Sequence, residues 1–260
     1  MIGAYVVIND EGWIATAWHI VEQFEMLTAA KKACTEYTAQ KTAIELDKTL
    51  THKQAKAKLK QLAKPADNWC THFSFWWSLD SAVLESVTGI KECDLAVGRL
   101  VPWDKTWIDE YPVLKDPSKT VRPGTSVARL GYPFHGITPT FDNGQFSLPA
   151  GSVPPPLFPI DGIVTRNLMV GEAPERFKLG FVETSSPGLR GQSGGPIYDQ
   201  QGTIYGIQSR TLHLPLGFNP VAPDQKTTEH QFLNVGHGAH VESLVGLLNK
   251  LGVKHQLAPY

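Results

Sequence analysis

The sequence predicts an all-β protein of two six-stranded-type antiparallel β-barrels, with a helical hairpin insertion and a C-terminal helix. Many short apolar segments alternate with turn residues, which is typical of strands in barrels. One stretch, residues 22–64, lacks Gly and Pro and has a helix-forming composition. Residues 239–251 place apolar side chains on one helical face. The 260 residues are enough to bury a substantial core.

The first half of the chain begins as a hairpin and then changes character. Residues 4–8 and 13–17 are predicted strands on either side of an N-D-E-G turn. The stretch 22–64 is predicted to form two helices that divide near residues 49–52 and end before Pro65. The second helix is rich in lysine, which indicates a solvated face or, alternatively, a docking patch.

From residue 69 onward the composition indicates β-structure. We expect a single domain over residues 1–260, with an N-terminal lobe at 1–120 and a C-terminal lobe at 121–260. Residues 149–159 contain too many prolines for a central strand, and residues 211–230 are predicted to be a loop. The predicted strands cover residues 72–77, 82–88, 94–100, 126–131, 160–166 and 204–209.

Charge and cysteine content restrict the functional classes. The net charge of -1 gives no general electrostatic basis for binding nucleic acid. Apolar stretches are far shorter than a membrane span needs, so no membrane association is expected. The odd count of three cysteines and an N-terminus without a basic, apolar leader predict a cytoplasmic protein.

Three short patterns carry candidate catalytic residues in the order His, Asp, Ser. A T-A-W-H-I-V pattern ends a predicted strand at His19. A D-L-A-V pattern begins an apolar strand at Asp94. A G-Q-S-G-G-P pattern places Ser193 in a glycine-rich loop.

These residue types suit acyl transfer through a covalent intermediate. A serine hydroxyl becomes a good nucleophile when a base takes its proton, and histidine can do this near neutral pH. A carboxylate fixes the tautomer of the imidazole and stabilises its charged form. Glycines allow backbone N–H groups to face the developing oxyanion. We therefore expect Ser193 as nucleophile, His19 as general base and Asp94 as the orienting carboxylate.

The three patterns together resemble the trypsin-like (chymotrypsin-fold) serine peptidases, especially bacterial-type members without disulfides. The family patterns T-A-x-H-[IV]-V, D-[IL]-A-[VL] and G-x-S-G-G-P are matched at residues 16–21, 94–97 and 191–196. The resemblance covers about residues 2–21 and 67–251. It implies a serine endopeptidase that acts on protein or peptide substrates and needs no metal or other cofactor.

The resemblance also implies roles for neighbouring residues. Gly191 and Ser193 would donate the N–H groups of the oxyanion hole. Ser209, Arg210 and Thr211 would pair with the substrate backbone as an edge strand. The pocket for the substrate side chain at P1, the residue on the acyl side of the cleaved bond, would be walled by residues 186–190 and 209–212. Arg190 is a further candidate for substrate contact. Residues 185–190 contain no acidic side chain, so a preference for Lys or Arg is not expected.

The chain departs from the family pattern in three ways. Gln192 replaces the Asp that captures a new N-terminus in activatable members, so activation by that route is not expected. The chain begins at the equivalent of the second barrel strand, which leaves the first strand unaccounted for. The insertion 22–64 between His19 and Asp94 would provide a surface for an activating partner.

The same residues also fit two alternative functions. Gly191 to Gly195 also fits the nucleophile elbow of α/β-hydrolases, which would give an esterase with Ser193, Asp224 and His237. A catalytically inactive homologue that acts as a binding module is a second alternative. His237 and His240 have the spacing of a metal-binding pair, but no further ligands are evident, so no metal site is expected.

Overall fold

The computed structural model describes residues 3–65, 82–138, 140–142, 145–152, 154–218 and 231–259. The helices are α1 (Trp18–Leu46), α2 (His52–Gln61) and α3 (Val241–Lys250). The strands are β1 (Val6–Val7), β2 (Trp13–Ala17), β3 (Val83–Ile90), β4 (Leu95–Val101), β5 (Val113–Leu114), β6 (Ser126–Arg129), β7 (Thr140–Asp142), β8 (Gln145–Ser147), β9 (Ile160–Glu172), β10 (Lys178–Thr184), β11 (Pro196–Tyr198), β12 (Ile204–Pro215), β13 (Phe232–His240) and β14 (Gln256–Leu257).

The chain divides into two compact units. One comprises Met1–Ile20, Trp76–Ile137 and Pro149–Tyr260, and it contains both large sheets and α3. The other comprises Val21–Phe75 and Thr138–Leu148, and its described elements are most of α1, α2 and the β7–β8 ribbon. Mostly β-structure with few helices agrees with the predicted fold class.

The first sheet has four strands in the order β1-β2-β4-β3, all antiparallel. This differs from the predicted six-stranded type, because among the described residues no strand precedes β1 and only four strands pair. The predicted strand 72–77 lies outside the described residues. Strand β4 is buried on both faces over most of its length, which explains its nearly continuous apolar sequence.

The second sheet closes into a ring of six strands. Its order is β11-β6-β9-β10-β13-β12, and β11 pairs with β12 to complete the circuit. The short strands β5 and β14 extend the sheet by parallel pairing beside the start of β12. Closure removes free edges from the six strands, as barrels do.

Strands β10 and β13 of this ring were not predicted, and β9 and β12 are both longer than predicted. Strand β12 continues to Pro215, so the prediction of a loop from residue 211 was wrong over residues 211–215. Its extension pairs with Phe232 to Val235 of β13, and this pairing outweighs the polar, Pro-containing local sequence. Strand β13 itself lacks apolar alternation because Gly and His occupy its centre.

Helix α3 and the two sheets share one core. Val241, Leu244, Val245 and Leu248 recur at helical spacing and are buried. The helix begins with His240, whose Nδ1 accepts a hydrogen bond from the backbone N–H of Glu242 at 3.1 Å. This capping interaction and the apolar face fix the helix against the sheets.

Replacement of Leu244 by Ala tests the contribution of this face. Leu244 is 0% exposed, so the change should lower the free energy of unfolding by about 2–5 kcal/mol. Denaturant unfolding followed by circular dichroism measures the loss. The matched control is Leu233→Ala on β13, where the side chain is 50% exposed and the expected effect is much smaller. Equal losses in the two variants would contradict the assignment of Leu244 to the core.

Candidate active site

His19 and Asp94 meet where strand β2 ends and the neighbouring strand β4 begins. Ala17 pairs with Leu95, so the residues beyond them, at the end of β2 and before β4, are neighbours. Helix α1 starts at Trp18, earlier than predicted, and the Trp18 N–H donates to the Asp94 carbonyl at 3.1 Å. His19 therefore lies in the first turn of α1.

Asp94 binds His19 through both carboxylate oxygens. His19 Nδ1 lies 2.8 Å from Asp94 Oδ2, and the His19 backbone N–H donates to Asp94 Oδ1 at 2.9 Å. Asp94 has a left-handed backbone with φ of 54°, a conformation that Asp tolerates better than most residues. This two-point contact orients the ring and leaves Nε2 available for chemistry.

Ser209 completes the surroundings of the Asp94 carboxylate. Its hydroxyl donates to Asp94 Oδ2 at 2.5 Å. Burial raises the pKa of Asp94, but the hydrogen bonds from His19 and Ser209 lower it by more. The pKa of Asp94 therefore lies below its ordinary value of 3.8. The carboxylate is therefore ionised at neutral pH.

Ser193 lies in the loop between β10 and β11. The hydrogen bond that the structure gives its hydroxyl, among the described residues, is to the Ser209 carbonyl oxygen at 3.2 Å. Ser209 thus contacts both other parts of the site, with its hydroxyl on Asp94 and its carbonyl on Ser193. In this structure the His19 imidazole and the Ser193 hydroxyl are joined through Ser209, without a direct hydrogen bond between them.

The backbone of the serine loop divides its N–H groups into two sets. The N–H groups of Gln192, Gly194 and Gly195 donate to the carbonyls of Leu189, Gln208 and Gln192, respectively. Within the described residues, those of Gly191 and Ser193 have no acceptor. Gly191 has a φ of 99°, and a Cβ there would lie 2.4 Å from the Tyr132 carbonyl oxygen. Glycine suits this position because any side chain would clash there. In this loop conformation the N–H groups of Gly191 and Ser193 are left without an acceptor among the described residues.

The loop is held from two sides. The Ala4 N–H donates to the Ser193 carbonyl at 2.7 Å, and Ala4 in turn accepts from the Thr16 hydroxyl at 2.7 Å. Gln192 is completely buried; its Oε1 accepts from the Leu189 N–H at 3.0 Å and its Nε2 donates to the Phe158 carbonyl at 3.2 Å. The Gln192 amide thereby fixes the loop with neutral hydrogen bonds in place of the family's Asp.

The residues that the sequence assigned to substrate contact have different surroundings in the structure. Thr211 donates to the Gly188 carbonyl at 2.5 Å, which joins the two predicted walls of the P1 pocket. Arg210 is exposed, and its guanidinium lies 4.6 Å from the centre of the Phe181 ring. Arg190 is exposed next to the serine loop. Ser209 is buried, and its side chain contacts Asp94.

Two features of the site were not predicted from the sequence. The contact of the Ser209 hydroxyl with Asp94 joins residues 115 positions apart, and no local pattern indicates it. Arg129 is fully buried beneath the predicted pocket. Alternate residues of its strand are buried, and Val127 and Arg129 share the inner face. The alternation of side chains along the strand was therefore a signal that Arg129 faces the interior.

The esterase alternative does not fit the fold. A nucleophile elbow is followed by a helix on a parallel sheet, whereas Ser193 is followed by the antiparallel strand β11. His237 is buried, and its Nε2 lies 3.0 Å from Glu183 Oε2. Asp224, the remaining member of that proposed triad, lies outside the described residues.

His237 and His240 have different partners. His237 contacts Glu183, whereas His240 caps α3. Among the described residues there is no group of three or more His, Cys, Asp or Glu side chains arranged to hold a metal ion. The described helices also include none with the length and apolar character needed to span a bilayer.

A closed antiparallel barrel beside a second antiparallel sheet, with a His–Asp pair next to a glycine-rich serine loop, defines the chymotrypsin-fold class. The sequence matches the trypsin-like peptidase domain over residues 3–207. The chain therefore belongs to the trypsin-like peptidase family. A comparison with curated proteins gave no match.

Solved structures similar to this chain include two forms of the Rv3671c protease from M. tuberculosis. The active form is 16% identical, with a TM-score of 0.39 and coverage of 67% of this chain and 61% of that one. The inactive form is 16% identical, with a TM-score of 0.37 and coverage of 66% of each chain. The match thus spans about 61% of the length of the first of these chains.

The Asp94 contacts predict a pH-dependent stability. The folded pKa of Asp94 lies below its ordinary value of 3.8, so the ionised carboxylate stabilises the fold at neutral pH. This contribution should be lost as the pH falls below 3.8 through the folded pKa. Asp94→Asn should therefore destabilise the protein clearly at pH 7 and progressively less at lower pH. Urea unfolding at several pH values measures the difference, with the exposed Asp109→Asn as control. A pH-independent difference for Asp94→Asn would contradict this reading.

Proposed function

We propose that this chain is a serine endopeptidase that hydrolyses peptide bonds through an acyl-enzyme. The observation that carries the proposal is the 2.8 Å contact of His19 Nδ1 with an Asp94 carboxylate that is also held by Ser209. Such a pair makes the imidazole a base whose charged form is stabilised. The unused N–H groups of Gly191 and Ser193 further support acyl transfer.

The first step requires the Ser193 hydroxyl to turn from the Ser209 carbonyl to His19. The Ser209 carbonyl lies at the start of the segment proposed to pair with substrate. A substrate N–H that donates to this carbonyl would take the place of the Ser193 hydroxyl. The hydroxyl is then released toward the imidazole, so substrate binding and activation of the nucleophile are linked.

Acylation then follows with a balanced transfer of protons. His19 Nε2 takes the Ser193 proton while Oγ attacks the peptide carbonyl carbon, and the carbonyl oxygen becomes an oxyanion held by the N–H groups of Gly191 and Ser193. The C–N bond breaks, and His19 gives its proton to the leaving amine. Water attacks the ester in the same way, and its proton passes through His19 to Ser193.

Labelling with a fluorophosphonate tests the proposal. An activated serine attacks phosphorus and displaces fluoride, so the protein should gain one adduct, located at Ser193 by peptide mass spectrometry. Ser193→Ala should abolish the adduct, and His19→Ala should slow labelling by about 10³-fold or more. The exposed Ser126→Ala is the matched serine control and should label at the wild-type rate.

The same labelling separates the proposal from an inactive homologue. A folded wild-type protein that resists the probe and cleaves no peptide in a mixed library would identify a binding module. Labelling of wild type and Ser193→Ala at equal rates would place the reactive group elsewhere.

We also propose a cytoplasmic location. The two cysteines among the described residues, Cys34 and Cys93, are free thiols, which suits a reducing compartment. Fractionation of cells that produce the protein from its own gene tests this location. Recovery in the extracellular or periplasmic fraction would contradict it.

A further inference from the structure

A buried arginine lies behind the predicted P1 pocket. Arg129 on β6 is 0% exposed, and its Nη1 donates to the Ser186 carbonyl at 2.8 Å. Ser186 begins one predicted wall of the pocket. Gly236 on β13 leaves the space that the guanidinium occupies, because a Cβ there would lie 1.4 Å from Nη1. The fold thus makes room for this charged group in its interior.

The other donors of Arg129 have no partner. Nε and Nη2 are buried, and neither has a hydrogen bond among the described residues. These two groups share one edge of the guanidinium, which matches the two oxygens of a carboxylate. The chain itself shows this geometry elsewhere: Arg166 binds Glu183 through Nε and Nη2, each at 2.8 Å.

The charge of Arg129 is also uncompensated. Burial lowers the pKa of Arg129 to about 10, so the side chain stays protonated at neutral pH. Burial is the cause of this shift, and among the described residues no acidic group pairs with the guanidinium. A buried cation without a counter-charge is unfavourable, and an entering carboxylate would supply both the charge and the missing acceptors.

The unpartnered edge is close to both walls of the pocket. A Cβ built on Gly188 would lie 3.5 Å from Arg129 Nη2 and 3.2 Å from Thr211 Oγ1. Gly188 belongs to the wall that leads into the Ser193 loop, and Thr211 belongs to the opposite wall on β12. Gln208, whose Nε2 lies 3.2 Å from the same point, donates to Gln192. Polar side chains from β6 and β12 therefore converge at Gly188.

We propose that Arg129 determines the specificity of the P1 pocket and that the enzyme cleaves after aspartate or glutamate. This inference rests on the proposed peptidase function. The P1 carboxylate accepts hydrogen bonds from Nε and Nη2 of Arg129. The Thr211 hydroxyl leaves the Gly188 carbonyl to open the pocket and donates to the same carboxylate. Substrates with Lys or Arg at P1 are rejected because their charge repels the guanidinium.

Paired peptide substrates that differ in P1 test the proposal on the wild-type enzyme. Glutamate and glutamine have nearly the same shape, as do aspartate and asparagine, so each pair isolates the charge. We expect kcat/KM for the acidic member to exceed that of its amide by about tenfold or more, because a site built for one polar group discriminates strongly against its analogue. Phosphonate inhibitors with P1 Glu or Gln should show the same ranking in their rates of Ser193 labelling.

Variants connect the preference to its residue. Arg129→Gln should reduce the Glu-to-Gln ratio toward one while generic fluorophosphonate labelling of Ser193 persists. Arg129→Lys keeps the charge but lacks the paired donors, so it should retain only part of the ratio. The exposed Arg122→Gln is the matched control and should keep the wild-type ratio.

The outcomes distinguish failure of the proposed P1 specificity from failure of the proposed peptidase function. Generic labelling of Ser193 without any preference for acidic P1 in the wild type overturns the specificity alone. An acidic preference that survives in a folded Arg129→Gln variant assigns it to another residue and also overturns the inference. If Arg129→Gln does not fold, the wild-type pairs still decide. Absence of all labelling overturns the peptidase function itself.

Discussion

The carboxylate of Asp94 holds together parts of the chain that are distant in sequence. It accepts from the ring and the backbone of His19 and from the hydroxyl of Ser209. The first two contacts lie at the junction of β2 and β4, and the third reaches the second sheet. Because a partly buried carboxylate needs several donors to remain ionised, these contacts and the low pKa of Asp94 depend on one another. The same interactions that stabilise the charge orient the imidazole.

The serine loop is organised by neutral contacts. The Gln192 amide binds the Leu189 N–H within the loop and the Phe158 carbonyl outside it, and the N-terminal segment at Ala4 binds the Ser193 carbonyl. In this structure the loop geometry is therefore supported by hydrogen bonds from the Gln192 side chain and from the backbone at Ala4. The Ser193 hydroxyl donates to the Ser209 carbonyl, so any other donor to that carbonyl would compete with Ser193 for the same acceptor.

The interior of the second barrel combines a stable framework with an unsatisfied group. Its six-stranded ring and the apolar face of α3 bury enough apolar surface to offset a costly feature. That feature is Arg129, which retains two buried donors without partners while the comparable Arg166 has both satisfied by Glu183. Buried polar groups are normally paired, so the two unpaired donors of Arg129 are the observation that supports the proposed carboxylate site.

The sequence alone determined the fold class, the family and the order of the His19, Asp94 and Ser193 patterns, because these depend on local residue types and spacing. It also located α2 from its composition, α3 from its apolar periodicity, and most strands of the first sheet. It could not predict β13 or the full length of β12, since those strands are specified by pairing with each other. Tertiary structure alone decided that Ser209 holds Asp94 and that the buried Arg129 donates to the Ser186 carbonyl, because both contacts join segments far apart in the chain and form only when the barrel closes.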